Sequence, residues 1–212
     1  MTTARATDQT SGRRRRSEGK QLAILDAAQT LFVAEGYELT SVDAIAARAG
    51  VSKRTVYDHF GDKQSVFRQV LERVGDAVTR AVRTAIDEEV TSGRALDDAL
   101  TAFARRVVTE TFPSSDYVVL RRLTAQGTRV PLPADDHDRP EQMLEERFAG
   151  LIADGVIREV DTRRAVREFT ALTFLLALDA LRSGSPAVGA AEIDTIITEG
   201  VDTFLRAYLV QR

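Results

Sequence analysis

Residues 49–60, AGVSKRTVYDHF, place Lys53, Arg54, Thr55, Tyr57 and His59 within two helical turns. Val56 and Phe60 are four apart, so a helix here turns both inward and leaves Lys53, Arg54, Tyr57 and His59 largely outside. Such a face carries donors for a polyanion. Lys and Arg can make paired hydrogen bonds to a guanine edge, and a tyrosine offers a hydroxyl together with a ring for a thymine methyl. Hydroxyls at helix N-termini can donate to phosphate oxygens.

Three helices must position that face. The first is expected from Ser17 to Glu35, with Ile24, Ala28, Leu31 and Phe32 on one apolar side. Gly36 ends it, because glycine accepts the left-handed conformation without steric cost, and Tyr37 returns to the core. The second starts after Thr40-Ser41, with Asp43 three residues past Thr40 in a capping-box arrangement. Val42, Ile45, Ala46 and Ala49 form its buried stripe, Gly50 stops it, and Ser52 caps the third helix. Two helices joined by a tight glycine turn make a helix-turn-helix, and duplex DNA's major groove accepts one helix. Further helices are expected near 62–91, 95–112, 116–127, 139–154, 161–183 and 189–210, separated by proline- or glycine-containing loops. The expectation is an all-α protein of about nine helices.

The stretch ILDAAQTLFVAEGYELTSVDAIAARAGVSKRTVYDHFGDKQSVF, residues 24–67, resembles the TetR family of bacterial transcriptional regulators. The resemblance rests on Gly36-Tyr37, the Thr40-Ser41 cap, Ile45-Ala46, AGVS, Thr55, Tyr57, His59, Phe60 and Lys63. Gln64 and Val66 depart mildly from the family pattern. The resemblance implies that Thr40 or Ser41, Thr55, His59 and Lys63 contact phosphates, and that Lys53, Arg54 and Tyr57 choose base sequence. It further implies an N-terminal DNA-binding domain over 17–63 and a helical ligand-binding and dimerisation domain over 64–212. The helices at 161–183 and 189–210 would then pair with their copies in a homodimer, although their apolar periodicity is equally compatible with a monomeric core. A palindromic double-stranded operator is the expected partner, and a small-molecule effector the expected signal. No cofactor is implied.

Other chemistries find little support. The chain has 212 residues and no cysteine, which excludes disulfides, thiolate metal sites and cysteine nucleophiles. Asp135, Asp136, His137 and Asp138 are adjacent in a proline-flanked loop and lack the spacing that converges ligands on one ion. No Ser-His-Asp set or phosphate-binding glycine loop stands out, so an enzyme is not expected. No apolar run is long enough for a bilayer. Residues 17–32 keep charges among their apolar positions, unlike a secretory signal core, so a cytoplasmic location is expected. Residues 1–63 hold ten Lys/Arg against eight Asp/Glu, whereas the remainder holds 19 against 24. A mildly basic N-terminal part on an acidic body suits a local polyanion contact. Residues 1–16 read as a disordered arm; Arg13–Arg16 within it is either a solvated tail or a segment that tracks phosphates or enters a minor groove.

Two alternatives stay open: a DNA-binding regulator of the same fold governed by a partner protein or by concentration, and an enzyme or carrier with an accidental helix-turn-helix.

Overall fold

The structure is a computed structural model and describes residues 4–91, 93–125, 139–182 and 189–210. The helices are α1 (Ala4–Glu35), α2 (Val42–Ala49), α3 (Lys53–Phe60), α4 (Lys63–Glu89), α5 (Leu96–Arg106), α6 (Ser115–Ala125), α7 (Arg139–Ala153), α8 (Thr162–Thr170), α9 (Leu176–Arg182) and α10 (Ala190–Tyr208). A π-helical turn, Val107–Thr111, extends α5, and a second, Ala171–Leu175, joins α8 to α9 in one rod. The described residues therefore form nine helical rods and no strand, with one isolated antiparallel bridge between Ile157 and Leu209. No helix among them is long and apolar enough to cross a membrane.

Helix ends fall within a few residues of expectation except at the start. The helix anticipated from Ser17 is continuous from Ala4, so residues 4–16 belong to α1 and do not form a separate disordered arm. Arginine is a good helix former, and no proline interrupts this stretch. Once Ile24, Ala28 and Phe32 are packed, each added residue costs no new nucleation.

Two compact units divide the chain. The first holds α1–α3, α4 as far as Gly75, and the end of α6 from Val119. Its core joins Ile24, Ala28 and Phe32 to Ile45, Val56 and Phe60, and adds Val66, Phe67, Val70 and Leu123. The unit therefore extends beyond the boundary expected at residue 63, because the first turns of α4 supply a wall of its core. Tyr37 closes that core, with its ring 4.9 Å from Phe67 and 5.9 Å from Phe32.

The second unit holds the rest of α4, α5, the start of α6 and α7–α10. Its centre is a run of rings: Phe148 and Phe204 both lie against Phe169, at 5.7 and 5.4 Å. Gly200 of α10 lies directly over the second π turn; a Cβ there would stand 2.4 Å from the Leu172 carbonyl oxygen. This close approach is made within the chain. Ile193, Ile197, Val201, Phe204, Leu205 and Tyr208 of α10 are likewise buried in their own unit. Among the described residues of this unit the exposed large apolar side chains are Val118, Leu175, Leu176, Leu181, Leu209 and Val210.

Candidate nucleic-acid interface and body cavity

Short-range devices fix the orientation of α3. Ser41 caps α2 by accepting the Ala44 N–H at 3.1 Å, so the cap belongs to Ser41 and not to Thr40. Gly50, at φ 67°, ends α2 and sends its N–H back to the Ala46 and Ala47 carbonyls. Ser52 then caps α3 through the Thr55 N–H at 3.1 Å. Val56 and Phe60 anchor the inward face, and Gly61, at φ 80°, releases the chain toward α4. Each cap satisfies a backbone group that the helix leaves unpaired.

The outward face carries Lys53, Arg54 and an exposed Tyr57. Both cations are held by acids. Lys53 Nζ lies 2.8 Å from Asp43 of α2, and Arg54 Nε lies 3.8 Å from Asp58. The hydrogen bond to Asp43, helped by that carboxylate's charge, raises the Lys53 pKa and keeps the amine protonated. Asp43 therefore braces α3 against α2, a role its place near the start of α2 did not reveal. The Ser52 and Thr55 hydroxyls are paired at 2.8 Å on the flank of α3.

Two expected phosphate contacts have inward roles. Thr40 is only 1% exposed and its hydroxyl donates to the Gly36 carbonyl at 2.8 Å. Its neighbour Ser41 is the exposed member of the pair. Lys63 Nζ donates to the carbonyls of Tyr37 at 2.8 Å, Thr40 at 3.1 Å and Glu38 at 3.4 Å, and stands 4.3 Å from the Tyr37 ring centroid. An ammonium has three protons, so these carbonyls account for all of them. His59 stays at the surface and lines a notch with Arg16, Ser17 and Lys20 of α1; Arg16 belongs to the run for which the sequence left a phosphate contact open, whereas Ser17 and Lys20 were not singled out as contacts.

In the second unit a cavity of about 220 Å³ lies among Val78, Val82, Phe103, Thr111, Tyr117 and Phe174. Residues of both π turns reach it: Val107 and Thr111 from one, Phe174 and Leu175 from the other. Phe112 and Phe174 meet edge to face at 5.7 Å, and Phe112 stacks on Tyr117 at 4.7 Å. Among the aromatics of this unit, Phe103, Phe112, Tyr117 and Phe174 line the cavity, whereas Phe148 and Phe169 lie in the core away from it. The Asp135–Asp138 run lies outside the described residues, among which no cluster suited to a metal ion occurs.

A short helix capped at its start, anchored by two apolar residues and presenting donors outward defines a helix-turn-helix unit of the kind that reads duplex DNA. The comparisons agree. The chain belongs to the TetR family: residues 24–70 match the bacterial regulatory proteins of that family, and residues 98–210 match the AefR-like transcriptional repressor C-terminal domain. This is a family of DNA-binding transcriptional regulators and not of enzymes. The chain is 39% identical over 80 residues to the HTH-type transcriptional activator FasR of Mycolicibacterium smegmatis, covering 38% of this chain and 36% of that one. It is 38% identical over 100 residues to the HTH-type transcriptional repressor Rv3405c of Mycobacterium tuberculosis, covering 46% and 50%. The matched stretches thus span between a third and a half of these curated relatives. Over almost its whole length the fold is similar to that of the flavonoid-responsive regulator FrrA, with a TM-score of 0.78, 26% identity and coverage of 91% of this chain and 98% of that one.

Proposed function

We propose that this chain is a sequence-specific, homodimeric transcriptional repressor that a small molecule releases from a palindromic operator. The observation that carries the DNA-binding part is the outward face of α3, where Lys53, Arg54 and Tyr57 share one side of a helix capped by Ser52. Ser41, Thr55 and His59 flank that face as phosphate contacts. Thr40 and Lys63 contribute from beneath, by holding the 36–41 turn that leads into α2. Its work is placed in the cytoplasm, where operator DNA is found.

The dimer part rests on Leu175, Leu176 and Leu181, which are 57%, 52% and 46% exposed on the rod that runs from α8 to α9. Single exposed leucines need no explanation, but three on one rod leave apolar surface on more than one side that a second copy would cover. Two recognition helices would then meet half-sites about one DNA turn apart, roughly 34 Å, or a multiple of it.

The effector part rests on the cavity. A 150 Å³ apolar cavity takes up benzene, so about 220 Å³ suits one or two rings. The name of FrrA places a response to flavonoids, larger aromatic compounds, on a protein of similar fold. Both α4 and α6 line this cavity and also contribute to the first unit, which supplies a covalent route for a signal. A ligand works as an inducer only if it binds the DNA-incompetent form more tightly, and DNA must weaken ligand binding by the same factor.

The test is selection of sheared genomic DNA on the purified protein, with Tyr57→Ala in parallel. Enrichment of one short palindrome that the variant loses is the expected result. Equal recovery by both proteins would remove α3 as the reading helix. Titration of one- and two-ring aromatics against the enriched site then separates a ligand-released repressor from a regulator governed by a partner or by concentration.

A further inference from the structure

We propose that Arg16, Ser17 and Lys20 of α1 join His59 of α3 in a seat for one backbone phosphate of the bound duplex, on the groove wall opposite the one that α2 meets. The inference rests on the DNA-binding reading above and adds three residues on a helix outside the helix-turn-helix.

Helix geometry provides the first argument. At about 100° per residue, Tyr57 lies about 40° round α3 from Lys53, whereas Thr55 and His59 lie about 200° and 240° round. The buried Val56 and Phe60 occupy the sector beneath. Helix α3 therefore has two flanks. One faces α2, as the 2.8 Å contact of Lys53 with Asp43 shows. The other faces α1, as the notch shared by His59, Arg16, Ser17 and Lys20 shows. A helix lying in the major groove has a sugar-phosphate strand on either side, so each flank meets one strand.

Chemistry provides the second. Arg16 and Lys20 are four residues apart on α1, with Ser17 three before Lys20, so all three project from one face. All three are exposed, and His59 meets them from the last turn of α3. The notch measures about 180 Å³, the volume of about six water molecules. Among the described residues, its lining brings a guanidinium, an ammonium, a hydroxyl and an imidazole, and no carboxylate. Lys53 and Arg54 reach DNA only by sharing or leaving their acids, but no acid lines this notch among the described residues. A planar guanidinium suits a phosphate in particular, because its N–H fork matches two oxygens.

The continuation of α1 toward Ala4 makes the arrangement possible. With Arg16 at the end of a disordered arm, its side chain would have no fixed relation to His59. On a continuous helix, Arg16 is one turn from Lys20 and is positioned by the same packing that buries Ile24.

The experiment uses the full chain, the duplex enriched by selection and a duplex of scrambled sequence. Affinity is measured across a salt series for the wild type, Arg16→Ala/Lys20→Ala and His59→Gln, with thermal melts to verify folding. Loss of one phosphate contact lowers the slope of log affinity against log salt by about 0.9 per subunit bound. The expected result for the double variant is that decrease on both duplexes, with the ratio of enriched to scrambled affinity unchanged. Ethylation of a single phosphate per half-site on the strand flanking α1 should weaken the wild type and leave the double variant indifferent. An unchanged slope, with enriched-site binding still lost in Tyr57→Ala, overturns the phosphate seat and leaves the DNA-binding reading standing. A wild type that binds neither duplex overturns both.

Discussion

The two units of this molecule are all helical, yet they present function in opposite directions. In the first, the groups proposed to meet DNA lie on the outside, and the helices beneath them are fastened. Ser41 and Ser52 cap the helices, Lys63 gathers three carbonyls, and Arg73 reaches Asp26 at 2.6 Å and also donates to Gln29. In the second, the candidate site is internal, and the helices that enclose it leave α geometry at two π turns. Reading a groove requires a regular helix held rigid, because a base edge accepts a donor only within hydrogen-bonding distance. Enclosing a ligand requires helices that do not close on each other. A π turn accommodates one extra residue, and such turns occur disproportionately at functional sites.

That contrast can be broken most sharply at Gly200. In an ordinary helix Gly→Ala gains about 1 kcal/mol, but here the added methyl meets the Leu172 carbonyl of the π turn at 2.4 Å. Gly200→Ala should destabilise the chain by about 3 kcal/mol, the upper part of the usual overpacking cost. Thermal melting checks this, and an unchanged or raised midpoint would mean that the π turn yields easily. Arg54→Ala should do the reverse, leaving melting unchanged while costing about 1–3 kcal/mol on the enriched site and little on scrambled duplex.

Lys63→Met separates support from contact. Three carbonyls lose their donor, so unit stability should fall by about 1–2 kcal/mol, whereas the salt slope should hold. A slope reduced by about 0.9 with normal melting would return Lys63 to the phosphate contacts. Ser52→Ala removes the α3 cap and should cost about 1 kcal/mol, read by hydrogen exchange of the Thr55 amide.

The smallest effect belongs to the second unit. Glu168 accepts a hydrogen bond from Tyr208 and pairs with Arg164 at 2.8 Å, and these hold its carboxyl below the ordinary value of 4.5. A depressed folded-state pKa contributes stability above the unfolded value and loses it as pH falls through the folded one. Melting of wild type and Glu168→Gln should therefore differ slightly at neutral pH and converge as pH drops below 4.5. A gap that persists in acid would remove the carboxylate's charge from the account.

Much of the first unit was legible before any coordinates, because its rules are local. A serine before an apolar-periodic run caps a helix, a glycine after it ends the helix, and spacing by four selects the inward side. Those rules place Val56 and Phe60 beneath α3 and Lys53, Arg54 and Tyr57 above it. They do not reach Thr40 and Lys63, whose phosphate roles only the TetR resemblance implied. Both look like surface donors in sequence, and only the fold of the 36–40 turn brings their partners to them. Asp43 was mistaken for a capping acid for the same reason, since its partner Lys53 sits on the next helix. In the second unit the helices and loops were visible but the π turns were not, because a residue inserted into an apolar helix leaves its composition unchanged.

What the sequence alone determined about this protein is its helical class, the position of each helix within a few residues apart from the start of α1, and which side of α3 faces out. Those follow from propensity, capping and periodicity, which act over four residues or fewer. Only the tertiary structure decided that α1 runs on to set Arg16 and Lys20 beside His59, and that Lys63 serves the fold. It also decided which phenylalanines line a cavity and which fill a core. These depend on partners up to tens of residues away, and a side chain's role is set by what it meets as much as by its type.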